Sequence, residues 1–86
     1  MIEEHTLEMR GMPRRDLEEY FLSIEGKQVG QGKYVYSNWN VELADEHYLT
    51  IGSLQIPATF VTFRVNEEDW PKIVEAFHLR FLSAGG

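Results

Sequence analysis

Between Gln31 and Val65 apolar and polar residues alternate in short bursts, Tyr34/Tyr36, Trp39/Val41/Leu43, Leu49/Ile51 and Val61/Phe63/Val65. Period-two alternation in segments rich in β-branched and aromatic residues predicts four consecutive strands, each with one buried face. Turn formers separate them: Ser37-Asn38, then Ala44-Asp45-Glu46-His47, then either Gly52-Ser53 or Pro57-Ala58. At the last position a two-residue type II′ hairpin at Gly52-Ser53 competes with a type I turn over Ile56-Pro57-Ala58-Thr59. The proline turn gives strands of similar length and keeps Pro57 out of a strand interior, where it would delete a ladder hydrogen bond. On that reading Gly52 marks a β-bulge, because the apolar phase changes between Leu49/Ile51 and Leu54/Ile56.

The flanking segments supply the cover. His5 to Arg10 alternates with Leu7 and Met9 on one face, which predicts a first strand ended by Gly11-Met12-Pro13. Pro13 suits the start of a helix, and Leu17, Tyr20, Phe21 and Ile24 form one stripe along it, with Gly26 expected as its left-handed cap. Lys27 to Gly32 reads as a loop or the frayed start of a strand. Its glycines lack the GxxxxGK[ST] order of a phosphate cradle. In the last segment Asp69 is placed as the cap, because Asn66 as cap would put Pro71 where an N–H must bond back. Trp70, Val74, Phe77 and Phe81 then share a narrow stripe beside Ile73, while Glu75 and Leu79 lie opposite.

The order strand, helix, four strands, helix predicts a single α+β domain spanning residues 1–86. It has two layers, a five-stranded antiparallel sheet with two helices on one face. If Val41, Leu43, Val61, Phe63 and Val65 face the helices, the open face carries Asn40, Glu42, Phe60, Thr62 and Arg64, joined by Tyr34 and Tyr36. Polar groups interleaved with aromatics suit an interaction surface, and equally an ordinary solvated face.

Composition narrows the function. The chain has 86 residues, no cysteine and a net charge of −6. Disulfides, thiolate metal sites and cysteine nucleophiles are excluded. The acidic balance opposes nucleic acid and anionic lipid, and no apolar run is long enough for a membrane span, so the expected location is cytoplasmic. Asp45-Glu46-His47 gathers three possible metal ligands, but consecutive turn residues diverge, and no two of His5, His47 and His78 are spaced to share an ion. No serine has a glycine-flanked elbow or a neighbouring histidine. Glu42 and Arg64 could pair across the open face. A pocket lined by Trp39, Trp70 and Phe77 is conceivable, although in so short a chain those rings read as core. No cofactor is expected. Gly85-Gly86 invites comparison with carriers that end in two glycines, but here the pair follows a helix rather than a strand.

The order of elements resembles one half of the TATA-binding-protein-like fold. More narrowly, the stretch from Tyr48 to Phe63, YLTIGSLQIPATFVTF, followed by an aromatic-rich helix ending Arg80-Phe81-Leu82 and glycines, resembles the carboxyl-terminal domain of MoaD-related proteins. In those proteins such a domain follows a ubiquitin-like module akin to the sulfur-carrying subunit of molybdopterin synthase. That module has no counterpart in this stretch, so the resemblance implies an accessory domain near molybdenum-cofactor synthesis rather than sulfur transfer itself. The expected function is therefore a non-enzymatic binding or assembly module that meets a protein partner or its own copy. The alternative is a sulfur or modifier carrier acting through Gly85 and Gly86.

Overall fold

The computed structural model of the chain describes the backbone of residues 1–85 and side chains of residues 1–81. Its elements are β1 (Ile2–Arg10), α1 (Arg14–Ser23), β2 (Lys27–Gly30), β3 (Lys33–Val35), β4 (Asn40–Leu43), β5 (His47–Ile51), β6 (Leu54–Asn66) and α2 (Trp70–Gly85). One antiparallel sheet runs in the order β1-β6-β4-β3-β2, with β5 also paired to β6. Both helices cover the same face, since Phe21 of α1 and Phe77 of α2 each meet Phe63 of the sheet edge-on and stack on one another at 5.8 Å. The two-layer α+β expectation thus holds, with six strands in place of five because Lys27–Gly30 pairs with β3.

The strands connect differently from the expected meander. Ile51 pairs with Leu54, so the chain reverses at Gly52-Ser53, where Gly52 takes φ +62°. Pro57 lies inside β6. In a strand the N and C=O of one residue point to the same side. The Pro57 carbonyl accepts from Gly11 N–H on the β1 side, at the end of that strand. Its absent N–H therefore faces β1 rather than β5, and the β5–β6 ladder loses nothing. Gly52 is accordingly a turn residue rather than a bulge.

The bulge sits at Ala44-Asp45-Glu46, which was expected to be a hairpin turn. Leu43 pairs with Val61 and His47 with Ala58, so three residues oppose two and the strand continues along β6 without reversing. The extra residue flips the phase: Leu43 faces the helices and His47 the opposite side. β4 and β5 are thus one interrupted strand, and with β6 they form a long hairpin whose tip runs past the end of β1. The molecule is correspondingly elongated, 43 × 26 × 22 Å.

The core is the helix-facing side of this sheet. Leu17, Phe21, Tyr34, Val41, Leu43, Val61, Phe63, Val65, Phe77 and Phe81 are buried in one cluster. α1 ends with Glu25, not Gly26, in the left-handed region, at φ +68°. Gly26 is required for a different reason: a Cβ there would come within 2.5 Å of Tyr36 Oη and 2.7 Å of Phe21 O, displacing the hydrogen bond that Tyr36 Oη donates to Phe21 O at 2.8 Å. Asp69 opens α2 as expected, accepting from Ile73 N–H at 3.1 Å. Leu79 is exposed, as its helical phase requires.

Candidate interaction surface

The sheet face away from the helices divides into a polar half and an apolar half. In the polar half Arg64 is the hub. Its Nε donates to Glu4 Oε2 at 3.0 Å, and its Nη1 reaches Asn40 Oδ1 at 3.5 Å and Glu42 Oε1 at 3.6 Å. Register places these groups: Glu4 and Asn40 flank Arg64 on neighbouring strands. The Glu42–Arg64 pair therefore forms, and Glu4, which the sequence reading left out, makes the shorter contact. Beside it the Thr6 and Thr62 hydroxyls meet at 3.0 Å across β1 and β6. Such exposed cross-strand pairs contribute about 0.2–1 kcal/mol each and leave this half internally satisfied.

Two residues expected on this face belong to the other side. Tyr34 is 1% exposed and stacks against Phe21 at 6.0 Å, its Oη donating to Glu18 Oε1 at 3.3 Å. Tyr36 stacks on Trp39 at 4.0 Å and bonds to Phe21 O in α1. The cause is the pairing of β3 with β4: Tyr34 opposes Val41, so both point at the helices.

The apolar half begins at Phe60, 43% exposed, with His47 stacked on it at 5.1 Å. Along β6 the residues Phe60, Ala58, Ile56 and Leu54 share one side by alternation, and their register partners add Leu49 and Ile51 of β5. Ile51 is 55% and Leu54 65% exposed. These tip residues were missed because a turn at Pro57 disperses them; the pair Gly52-Ser53 between matched apolar residues was the available signal. The stretch from Tyr48 to Phe63 contains no Asp, Glu, Lys or Arg. On its β1 flank this half meets the Glu8–Arg10 ion pair, which register sets beside Phe60 and Ala58, whereas toward the hairpin tip it carries no charge; an apolar tip on a chain of net charge −6 is the kind of patch that marks association.

Side chains of the bulge diverge. Asp45 approaches Arg14 Nη1 at 3.5 Å, Glu46 Oε1 accepts from Arg14 N–H at 2.7 Å, and His47 Nε2 lies 3.1 Å from Glu8 Oε2. Among the described residues no group of His, Asp and Glu is placed to hold a metal ion. Two carboxylates are held below the usual range: Glu8 by the hydrogen bond from Arg10 and then that from His47, Glu46 by the Arg14 N–H and then the Tyr48 hydroxyl. A depressed folded value means stability that is complete above the unfolded value and lost as pH falls through the folded one. Thermal denaturation should therefore be steady from about pH 7 to about pH 5 and decline below about pH 4.5. Glu8→Gln with Glu46→Gln should lower the melting temperature at neutral pH and make the acid limb shallower. An acid limb as steep as that of the wild type would exclude these two groups as its source.

Of the pocket triad, Trp39 and Phe77 line a cleft between the helices, whereas Trp70 stacks on His5 at 4.0 Å. Among the described residues no helix is long and apolar enough to cross a membrane. α2 runs to Gly85, and Gly86 lies outside the described residues. A family model described as archaeal MoaD-like protein matches residues 5–86. No curated protein matches the chain.

Proposed function

Since the chain belongs to the archaeal MoaD-like family, we propose that it acts as a non-enzymatic assembly module linked to molybdenum-cofactor or sulfur-carrier biosynthesis, pairing with a second copy of itself through the β5–β6 hairpin. The observation that carries this reading is the uncharged apolar tip of the open face, formed by Leu49, Ile51, Leu54 and Ile56. Among the described residues the outer edge of β5 pairs with no strand, and a strand edge recruits another strand through main-chain hydrogen bonds, with side chains setting the fit. Centred on Leu49, an antiparallel second β5 would place His47 opposite Ile51 and Tyr48 opposite Thr50, with no carboxylate facing another. Copies of a chain of net charge −6 repel one another over most of their surface, and this stretch is where that repulsion is least. A carrier acting through Gly86 would instead need an extended tail, and α2 continues in helical form to Gly85.

The test is particle mass by light scattering over a concentration series. The wild type should be a dimer. Leu49→Glu, which sets two carboxylates against each other where the two copies cross, should be a monomer with an unchanged circular dichroism spectrum, since within one chain Leu49 faces Ile56 and no like charge. A monomeric wild type at every concentration would overturn the self-pairing, as would a charge variant that stays dimeric.

A further inference from the structure

On the helix side of the sheet, away from the proposed pairing surface, α1 and α2 leave a cleft of about 210 Å³. Tyr20, Phe21, Ile24, Trp39, Ile73 and Phe77 wall it, and Ala76 contributes only a methyl group where the neighbouring turns of α2 carry large side chains. The walls are apolar, and an apolar cavity of ~150 Å³ suffices to hold benzene. One cation, Lys72, lines the same cleft, and among the described residues it takes part in no ion pair. Lys72, Ala76 and Arg80 follow one another at four-residue spacing, so they lie along one line of α2. The charge of Arg80 reaches the Tyr20 hydroxyl, which burial pushes up and Arg80 pulls partly back. Lys72 thus stands at the rim of an apolar notch in a chain whose balance is otherwise acidic, and Arg80 follows one turn beyond Ala76.

We propose that this cleft binds a small amphiphilic carboxylate, its apolar body against Trp39, Phe77 and Ile73 over Ala76 and its carboxylate at Lys72. Charge complementarity selects this occupant over a neutral one. Lys72 is exposed at the rim of the cleft, so a carboxylate there gains its attraction while staying hydrated, a neutral headgroup forgoes that gain, and a dianion would bring a second charge against aromatic walls that give it no hydrogen bond.

Sodium octanoate and 1-octanol are the probes, titrated into uniformly ¹⁵N-labelled full-length protein and followed by ¹H–¹⁵N correlation spectra. Octanoate should produce saturable shifts at the Trp39 indole N–H and the amides of Ile73 and Ala76, leaving Ile51 and Leu54 unmoved. Octanol should bind more weakly. Lys72→Ala should weaken octanoate about fivefold and leave octanol unchanged. Ala76→Leu, which fills the notch, should abolish the shifts while the rest of the spectrum stays folded. Absence of saturation would overturn the proposal, and so would shifts centred on the hairpin or equal affinity for both probes. Because the hairpin variant leaves the cleft intact, octanoate binding to the Leu49→Glu protein separates a failure here from a failure of the self-pairing.

Discussion

Tyr34→Ala should destabilise the protein by about 3–5 kcal/mol in urea denaturation, the cost of deleting a fully enclosed aromatic side chain. A domain of this size has ~5–10 kcal/mol in all, so the variant should be close to unfolded at physiological temperature. The ring stands at the end of a chain of aromatics, Tyr34 against Phe21, Phe21 against Phe77 and Phe63. Removing it leaves a void beneath α1 that the short strand β3 cannot close by moving, because it is held on both sides, by β2 and by β4. The hydroxyl contributes less. Its bond to Glu18 is 3.3 Å long and partly open to water, so Tyr34→Phe should cost no more than about 1 kcal/mol. The contrast between the two variants is diagnostic, since a tyrosine on a solvated face would lose almost nothing in either. Equal and small effects would return Tyr34 to the open face.

The same residue shows what the alternation contained and what was overlooked. Its apolar period is plain in the sequence, but period alone does not say which side is in. A two-residue turn at Ser37-Asn38 makes Tyr36 the neighbour of Trp39 and Tyr34 that of Val41, and Val41 was already assigned to the core. The loop length therefore held the answer for both tyrosines. Gly52 is a comparable case. Leu49/Ile51 and Leu54/Ile56 look out of phase along the chain, yet a two-residue reversal between them puts all four on one side. Reading the phase change as a bulge hid the apolar half of the open face.

Other features were beyond local pattern. Nothing in Ala44-Asp45-Glu46 distinguishes a bulge from a turn. The choice is made by β6, which is long enough to pair with β4 and β5 in succession, and by Arg14, whose N–H is bound by Glu46 from across the fold. Glu4 as a partner of Arg64 likewise required knowing that β1 and β6 are neighbours over their whole length. The helices were the most legible part. Leu17, Tyr20 and Phe21 of the first stripe and Trp70, Phe77 and Phe81 of the second face the core where expected, because helical phase is set within the segment itself, whereas Ile24 lies past the end of α1 and is exposed. The cleft between them depends on how two stripes meet, and Ala76 signals it only once Trp39 and Phe77 are known to stand on either side.

Gly32→Ala should cost about 2–4 kcal/mol, whereas Gly52→Ala should cost about 1 kcal/mol, although both glycines close two-residue turns at positive φ. At Gly32 φ is +70° and at Gly52 +62°, so the backbone penalty for an L side chain is similar at both. What differs is the surroundings. A Cβ at Gly52 meets nothing within 4 Å, while one at Gly32 would come within 2.8 Å of Leu43 O and collide with the Arg14 guanidinium. The flexible Arg14 side chain can move aside. The Leu43 carbonyl cannot, because Leu43 N–H donates to Gly32 O at 2.7 Å and fixes the separation of the two backbones just before the bulge. Asparagine tolerates positive φ, so Gly52→Asn should recover most of the loss at the hairpin tip, and Gly32→Asn should recover little. Measured by denaturant midpoints, this difference in rescue separates a turn that needs only a permissive residue from one that also needs the space. Equal rescue at both positions would show that the close approach of Gly32 to Leu43 is not what requires the glycine.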